Sequence, residues 1–120
     1  MRNQITYDGW KQSNPQPYQS YQMGYNGSFK DCYKLENGIY FYNHENYNGS
    51  GFRYAIIDYT IQVSKENSDI IKQFGGYICE EYGYSNKGDG LPCFDMQKNE
   101  SEELYLKRMF EYINQIICKL

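Results

Sequence analysis

The sequence has one alanine, Ala55, and one histidine, His44, among its 120 residues, and only three prolines. Each scarcity excludes something. Alanine is the best helix former, and a chain that nearly lacks it while holding many Tyr, Asn and Gly leans toward pleated structure. A lone His44 and four widely spaced cysteines (Cys32, Cys79, Cys93, Cys118), with no Cys-x-x-Cys pair, cannot complete a usual zinc set. No segment approaches the roughly 20 apolar residues of a membrane-spanning helix. The opening "MRNQITYDGW" holds no apolar h-region, so no export signal is evident. The expected location is cytoplasmic, with the cysteines as reduced, mostly buried thiols. The Asn-x-Ser triplets at Asn26, Asn48 and Asn99 then carry no meaning as glycosylation acceptors. Lys and Arg are scattered rather than clustered, and the net charge is −3. That argues against duplex nucleic acid as a partner and against a basic helix lying on a membrane.

Aromatic residues are in excess: fifteen Tyr, six Phe and one Trp. A chain of this length makes one domain with one real core. Fifteen phenols cannot all be buried there with satisfied hydroxyls, so some face outward as ring surface of the kind used in recognition. A genome rich in A and T would also raise the Tyr, Asn, Ile and Lys content.

The expected fold is α+β: an antiparallel, Tyr-rich sheet, a short middle helix, and a C-terminal amphipathic helix packed on the sheet. Residues 1–28 read as a loop-rich segment. "QITYDGW" is a plausible short strand, and Pro15 and Pro17 confine the stretch after it to loop or edge structure. Residues 29–63 read as a hairpin plus a long strand. "FKDCYKL" and "IYFYN" flank Asn37-Gly38, which suits a two-residue type I′ turn setting Leu35 opposite Tyr40 and Tyr33 opposite Tyr42. In the strand after the "NHENYNGSG" turn cluster, Ala55, Ile57, Tyr59, Ile61 and Val63 alternate with polar positions. Residues 64–76 read as a short helix capped by Ser64 and stopped by Gly75-Gly76. Residues 77–98 read as the strand "YICEEYGY" and an irregular loop containing Pro92. Over 99–120, Leu106, Met109, Phe110, Ile113, Ile116, Ile117 and Leu120 fall on one helical face, with Asn99 and Glu102 at capping-box spacing. That stripe fits docking on the sheet; its alternative use is a homodimer or partner contact.

"YNGSF" at Tyr25 to Phe29 and "YNGSGF" at Tyr47 to Phe52 are near-copies. "FYNHENYNGSGF" resembles the Greek-key signature of βγ-crystallin-type domains, with Tyr42, Tyr47, Gly49 and Phe52 at its aromatic and glycine positions. The resemblance implies a Greek-key β fold. It does not imply calcium binding, because the family's Asn/Asp and Ser pattern is absent near Val63 to Ser68.

No chemistry-bearing constellation stands out. His44-Glu45 reads as part of a solvated turn. Glu80-Glu81 on a strand would face opposite ways, which suits an edge-strand charge pair better than an acid/base pair. "GYSNKGDG" lacks the Lys-Ser/Thr of a phosphate loop. The expectation is therefore no catalytic residue, no metal and no cofactor. The expected function is that of a small protein-binding module, such as an inhibitor that a mobile element directs against a host nucleic-acid-processing or defence enzyme. Its surface would be built from Tyr18, Tyr21, Tyr25, Tyr47, Glu45, Glu80 and Glu81, the acidic groups lying between rings. Two other readings are a structural subunit of a larger assembly and a single-stranded nucleic-acid binder that stacks bases on tyrosines, provided a local basic groove exists.

Overall fold

The computed structural model describes residues 2–23, 28–45, 53–57, 68–79 and 90–119. Their elements run α1 (Tyr7–Gln12), β1 (Gln19–Met23), β2 (Ser28–Lys34), β3 (Tyr40–Glu45), β4 (Arg53–Ile57), α2 (Ser68–Gln73), β5 (Tyr77–Cys79), β6 (Leu91–Asp95) and α3 (Glu102–Gln115), with a closing 3-10 turn at Ile117–Lys119. Among the described residues the strands form one antiparallel sheet of six in the order β1-β2-β3-β4-β6-β5. The helices pack on one face, so the architecture is α+β with a Tyr-rich sheet, as the residue pattern implied. No described helix is long and apolar enough to cross a membrane.

Burial of one face fixes the sheet's register. Leu35, Ile39 and Phe41 of the β2–β3 hairpin, Ala55 and Ile57 of β4, and Phe94 of β6 lie in one core cluster with Tyr105, Leu106, Met109, Phe110, Tyr112 and Ile113 of α3. This corrects the hairpin expectation by one residue. The Leu35 amide donates to the Ile39 carbonyl and the Gly38 amide to the Leu35 carbonyl, making a three-residue loop that pairs Tyr33 with Phe41 and Cys32 with Tyr42. A type I′ turn needs positive φ at both Asn37 and Gly38, but only Gly38 has it, at +87°. Asn37 is held instead by its side chain, which accepts from the Ile39 amide at 3.2 Å and donates to the Asn3 carbonyl at 2.5 Å.

Three other expectations change. "QITYDGW" is helical rather than extended: the Thr6 hydroxyl caps α1 by accepting from the Gly9 amide at 3.0 Å. The helix is fixed by Trp10, whose indole lies 5.3 to 6.0 Å from the rings of Tyr7, Tyr33, Phe41 and Phe110. Pro92 lies in strand β6 rather than in a loop. It is registered only against Ile78 of β5, just where the pairing with β4 stops at Cys93, so its missing N–H interrupts no ladder there. Helix α3 is capped by Ser101, not Asn99. The Ser101 hydroxyl accepts from the Leu104 amide at 3.2 Å, while Asn99 sits at φ +66° in the turn before it.

That turn presents Glu100 to Arg108. The guanidinium donates to both Glu100 carboxylate oxygens, at 2.8 and 2.7 Å, and to the carbonyls of Phe74, Gly75 and Asp95. One planar fork thus ties α3 to the end of α2 and the end of β6. Burial raises the Glu100 pKa, but the Arg108 hydrogen bonds, the Gln97 amide and the Arg108 charge outweigh it and leave the group below the usual carboxylate range. Gly76 follows from the same packing: a Cβ there would stand 2.7 Å from the Phe94 ring and 2.8 Å from the Cys93 carbonyl.

The middle helix appears as Ser68–Gln73 with Gly75 beyond it at φ +78°. Ser64, and Tyr59 to Val63 of the long strand, lie outside the described residues, as do Tyr47, Gly49 and Phe52 of the Greek-key-like stretch. Its Tyr42 is a β3 residue. Cys32, Cys93 and Cys118 are buried thiols.

Candidate functional site

Strand alternation gives the sheet a second face with different chemistry. In β3, Phe41 and Asn43 turn toward the helices, Asn43 accepting from the Tyr105 hydroxyl, whereas Tyr40, Tyr42 and His44 occupy the outer side. In β2 the matching outer positions are Lys30, Cys32 and Lys34, registered against His44, Tyr42 and Tyr40 in turn. Tyr54 of β4 is registered against His44. The result is a row of rings beside a pair of lysines.

The contacts are direct. The Lys30 ammonium lies 5.0 Å from the Tyr42 ring centre, and the Lys34 ammonium lies 5.6 Å from Tyr40 and 5.9 Å from Tyr18. Tyr18, 58 % exposed, meets Tyr40 edge-on at 5.9 Å. Such cation–π pairs contribute about 0.5–1 kcal/mol at exposed sites. Two carboxylates of these strands are on the other side. Asp31 and Glu45 take the helix-side parity of Asn43 and Phe41, and Asp31 accepts from the Ser20 hydroxyl at 2.6 Å. Asp95 is registered against Tyr54 and so shares the outer face, where it accepts from the Tyr77 hydroxyl at 3.1 Å.

His44 is the largest correction at this site. It is a buried β3 residue, 9 % exposed, stacked on Tyr54 at 4.3 Å and 8°, and not part of a solvated turn. Burial, helped by the nearby Lys30 charge, pushes its pKa down to about 4. Its Nε2 has no hydrogen-bond partner among the described residues. Among the described residues the imidazole is flanked by the Tyr54 ring and the Lys30 ammonium.

Comparison with protein-family models, curated proteins and solved structures finds no match. The function must therefore be argued from the site itself.

The residues singled out in the sequence are not assembled into one surface. Tyr18 belongs to the outer face. Tyr21 is a β1 residue registered against Lys30. Glu45 ends β3 on the opposite side of the sheet from Tyr18's contacts. Tyr25, Tyr47, Glu80 and Glu81 lie outside the described residues. The residues missed were Lys30, Lys34, Tyr40, Tyr42 and Tyr54. Their signal was present as period-two spacing, Lys30-x-x-x-Lys34 in "KDCYK" and Tyr40-x-Tyr42-x-His44 in "YFYNH". A cleft of about 370 Å³ between α1 and the β2–β3 turn is the other candidate, floored by Trp10, Tyr33 and Leu35. Its small hydroxyls are already engaged: Ser13 donates to the Trp10 carbonyl at 2.5 Å, and Thr6 caps α1. The apolar stripe of α3 is used on the chain's own sheet, leaving Glu102, Glu103, Leu104, Glu111 and Gln115 as the exposed positions of the helix.

Proposed function

We propose that this protein is a non-enzymatic binding module that engages a macromolecular partner through the outer face of the sheet at its β1 to β3 end, around Tyr18 and Lys34. The observation that carries this reading is the pairing of lysines with outward tyrosine rings: Lys30 over Tyr42, and Lys34 over Tyr40 and Tyr18. Rings of this kind give large contact area at low side-chain entropy, and the two ammonium groups set the sign of the partner's charge. A protein partner, with inhibition of an enzyme as one case, would have to bring an acidic segment to this face. That differs from the acidic tyrosine surface expected from the sequence, since the cations here belong to this chain.

A photo-crosslinking side chain placed at Tyr18 tests the reading against the same group at Leu104, which is 55 % exposed on α3. Cell extract should yield a discrete adduct from position 18 only, and Lys34→Glu should abolish it. Adducts from position 104 alone, equal labelling at both, no labelling at either, or indifference to Lys34→Glu each overturn the assignment.

A further inference from the structure

We infer that the cleft between α1 and the end of β2 takes an extended peptide of a partner protein, which adds a strand to β2 where β1 stops and seats apolar side chains on the cleft floor. The inference rests on the binding-surface reading above, since Lys34 belongs to both, and gives the partner's segment a form. The first support is an open stretch of sheet edge. Successive residues of a strand point their N–H and C=O groups to opposite neighbours. The Cys32 carbonyl accepts from the Tyr18 amide at 2.7 Å, toward β1, and the Leu35 amide donates to the Ile39 carbonyl at 2.8 Å, toward β3. Lys34 therefore presents both of its backbone groups to the β1 side. The β1 ladder has ended by then, because its last register pair at this end is Gln19 with Cys32. Among the described residues nothing pairs with the Lys34 amide or carbonyl, so this piece of edge is a template for another strand.

The second support is the cleft beside that edge. Its lining of about 370 Å³ includes the four consecutive residues from Tyr33 to Glu36, together with Ile5, Trp10 and Pro15. In an antiparallel added strand, the residue opposite Lys34 exchanges both main-chain hydrogen bonds with it and projects its side chain to the outer face. The residues on either side of that one project the other way, as Tyr33 and Leu35 do, onto the apolar floor. The third support is charge. The Lys34 ammonium lies on the outer face between Tyr18 and Tyr40, so a carboxylate suits the residue opposite it. Glu36, exposed two residues on, disfavours a run of carboxylates. The matching segment is one acidic residue between two apolar ones.

The test uses the full chain labelled with nitrogen-15, titrated to about 1 mM with the end-blocked heptapeptide Ser-Thr-Leu-Asp-Leu-Thr-Ser and read by amide NMR spectra. The Lys34 amide and Trp10 indole N–H signals should shift together, and the Lys34 amide should exchange with solvent at least tenfold more slowly when bound. Methylating the peptide's Asp nitrogen removes the donor to the Lys34 carbonyl and should weaken binding about fivefold or more. Replacing both peptide leucines with serine should do the same, as should Gln16→Trp, which fills the cleft from an exposed position. Lys34→Glu should weaken binding about tenfold, and Lys72→Glu, an exposed lysine on α2, should change nothing. If the peptide binds but N-methylation has no effect, strand addition falls while the binding-surface reading stands. If (dT)12 shifts the Lys34 signal and the peptide does not, the partner is a nucleic acid and the inference falls. If raising the protein concentration alone protects the Lys34 amide, a second copy occupies the edge and the inference falls. If the peptide does not bind at all, the inference falls, and cross-linking from position 18 decides the surface reading separately. If Lys72→Glu matters as much as Lys34→Glu, both fall.

Discussion

The two faces of this sheet use the same residue types for opposite ends. On the helix side, Trp10, Tyr33, Phe41, Phe110 and Tyr7 touch one another edge-on, tilted or stacked at 5.1 to 6.0 Å, and Tyr105 and Tyr112 have no exposed surface. On the outer side, Tyr18, Tyr40 and Tyr42 meet lysines, Tyr54 meets the histidine, and Tyr42 and Tyr54 also border a smaller buried cluster of Ile56, Leu91 and Cys93. An aromatic ring surrounded by other rings has exchanged water for dispersion and burial. A ring beside an ammonium, as at Tyr18, faces a charge instead of another ring. Tyrosine count alone therefore does not separate core from surface; the partner across the strand does.

The sharpest way to break the comparison is at Trp10. Its indole joins α1 to β2, β3 and α3, so Trp10→Ala should cost about 3–5 kcal/mol, the range for a large aromatic removed from a core. Urea denaturation measures this directly. A loss below about 1 kcal/mol would mean that α1 is an appendage and that the inner cluster is held by α3 alone.

Acid probes the boundary between the faces. His44 has its pKa lowered from 6.5 to about 4, so the unfolded chain binds the proton more readily than the folded one. Its contribution is fully present above pH 6.5 and declines as pH falls toward 4, by about 3 kcal/mol across that window at 1.36 kcal/mol per unit. Glu100, depressed by Arg108, adds a loss at lower pH, as its folded-state carboxylate is protonated. In His44→Phe, which keeps the stack on Tyr54, the decline between pH 6.5 and 4 should flatten while the loss through Glu100 persists. A wild-type melting curve flat from pH 7 to 4.5 would show that the imidazole stays hydrated.

Tyr112 sharpens the comparison from inside. Its hydroxyl is buried with no hydrogen-bond partner among the described residues, and burial raises its pKa far above the ordinary phenol value. The ring is what the site uses, against Phe74 and Phe94. Tyr112→Phe should therefore stabilise the protein by about 1 kcal/mol, because a buried, unpaired hydroxyl loses its hydration with nothing in return. A destabilised variant would reveal a partner for that oxygen.

How much of this was legible depended on whether the decisive interaction was local. Helix α3 was readable because Leu106, Met109, Phe110 and Ile113 repeat at helical spacing. The hairpin was readable in existence but not in register. Asn37-Gly38 suggested a two-residue turn, whereas the alternation of Leu35, Ile39 and Phe41 toward the core demands three. Helix α1 was missed because six residues including Gly9 have little intrinsic helicity, and Trp10's contacts come from residues 33, 41 and 110. Strand β6 was missed because Pro92 argues against a strand unless the neighbouring ladder is known to end beside it. The burial of His44 depends on Tyr54 and Lys30, which only strand pairing brings alongside.

The smallest expected effect carries the most weight for function. Tyr18 and Lys34 are exposed, and their side chains meet each other and Tyr40. Tyr18→Ala and Lys34→Ala should each change stability by less than about 0.5 kcal/mol, within about 2–4 °C of the wild-type melting temperature. The inner-face variants set the scale: a fold that needs Trp10 and ignores Tyr18 has rings on its outer side that folding does not explain. If Tyr18→Ala instead approached the cost of Trp10→Ala, the outer tyrosines would be part of the core. The ring–lysine pairs would then need no partner to account for them, and the proposed binding face would lose its premise.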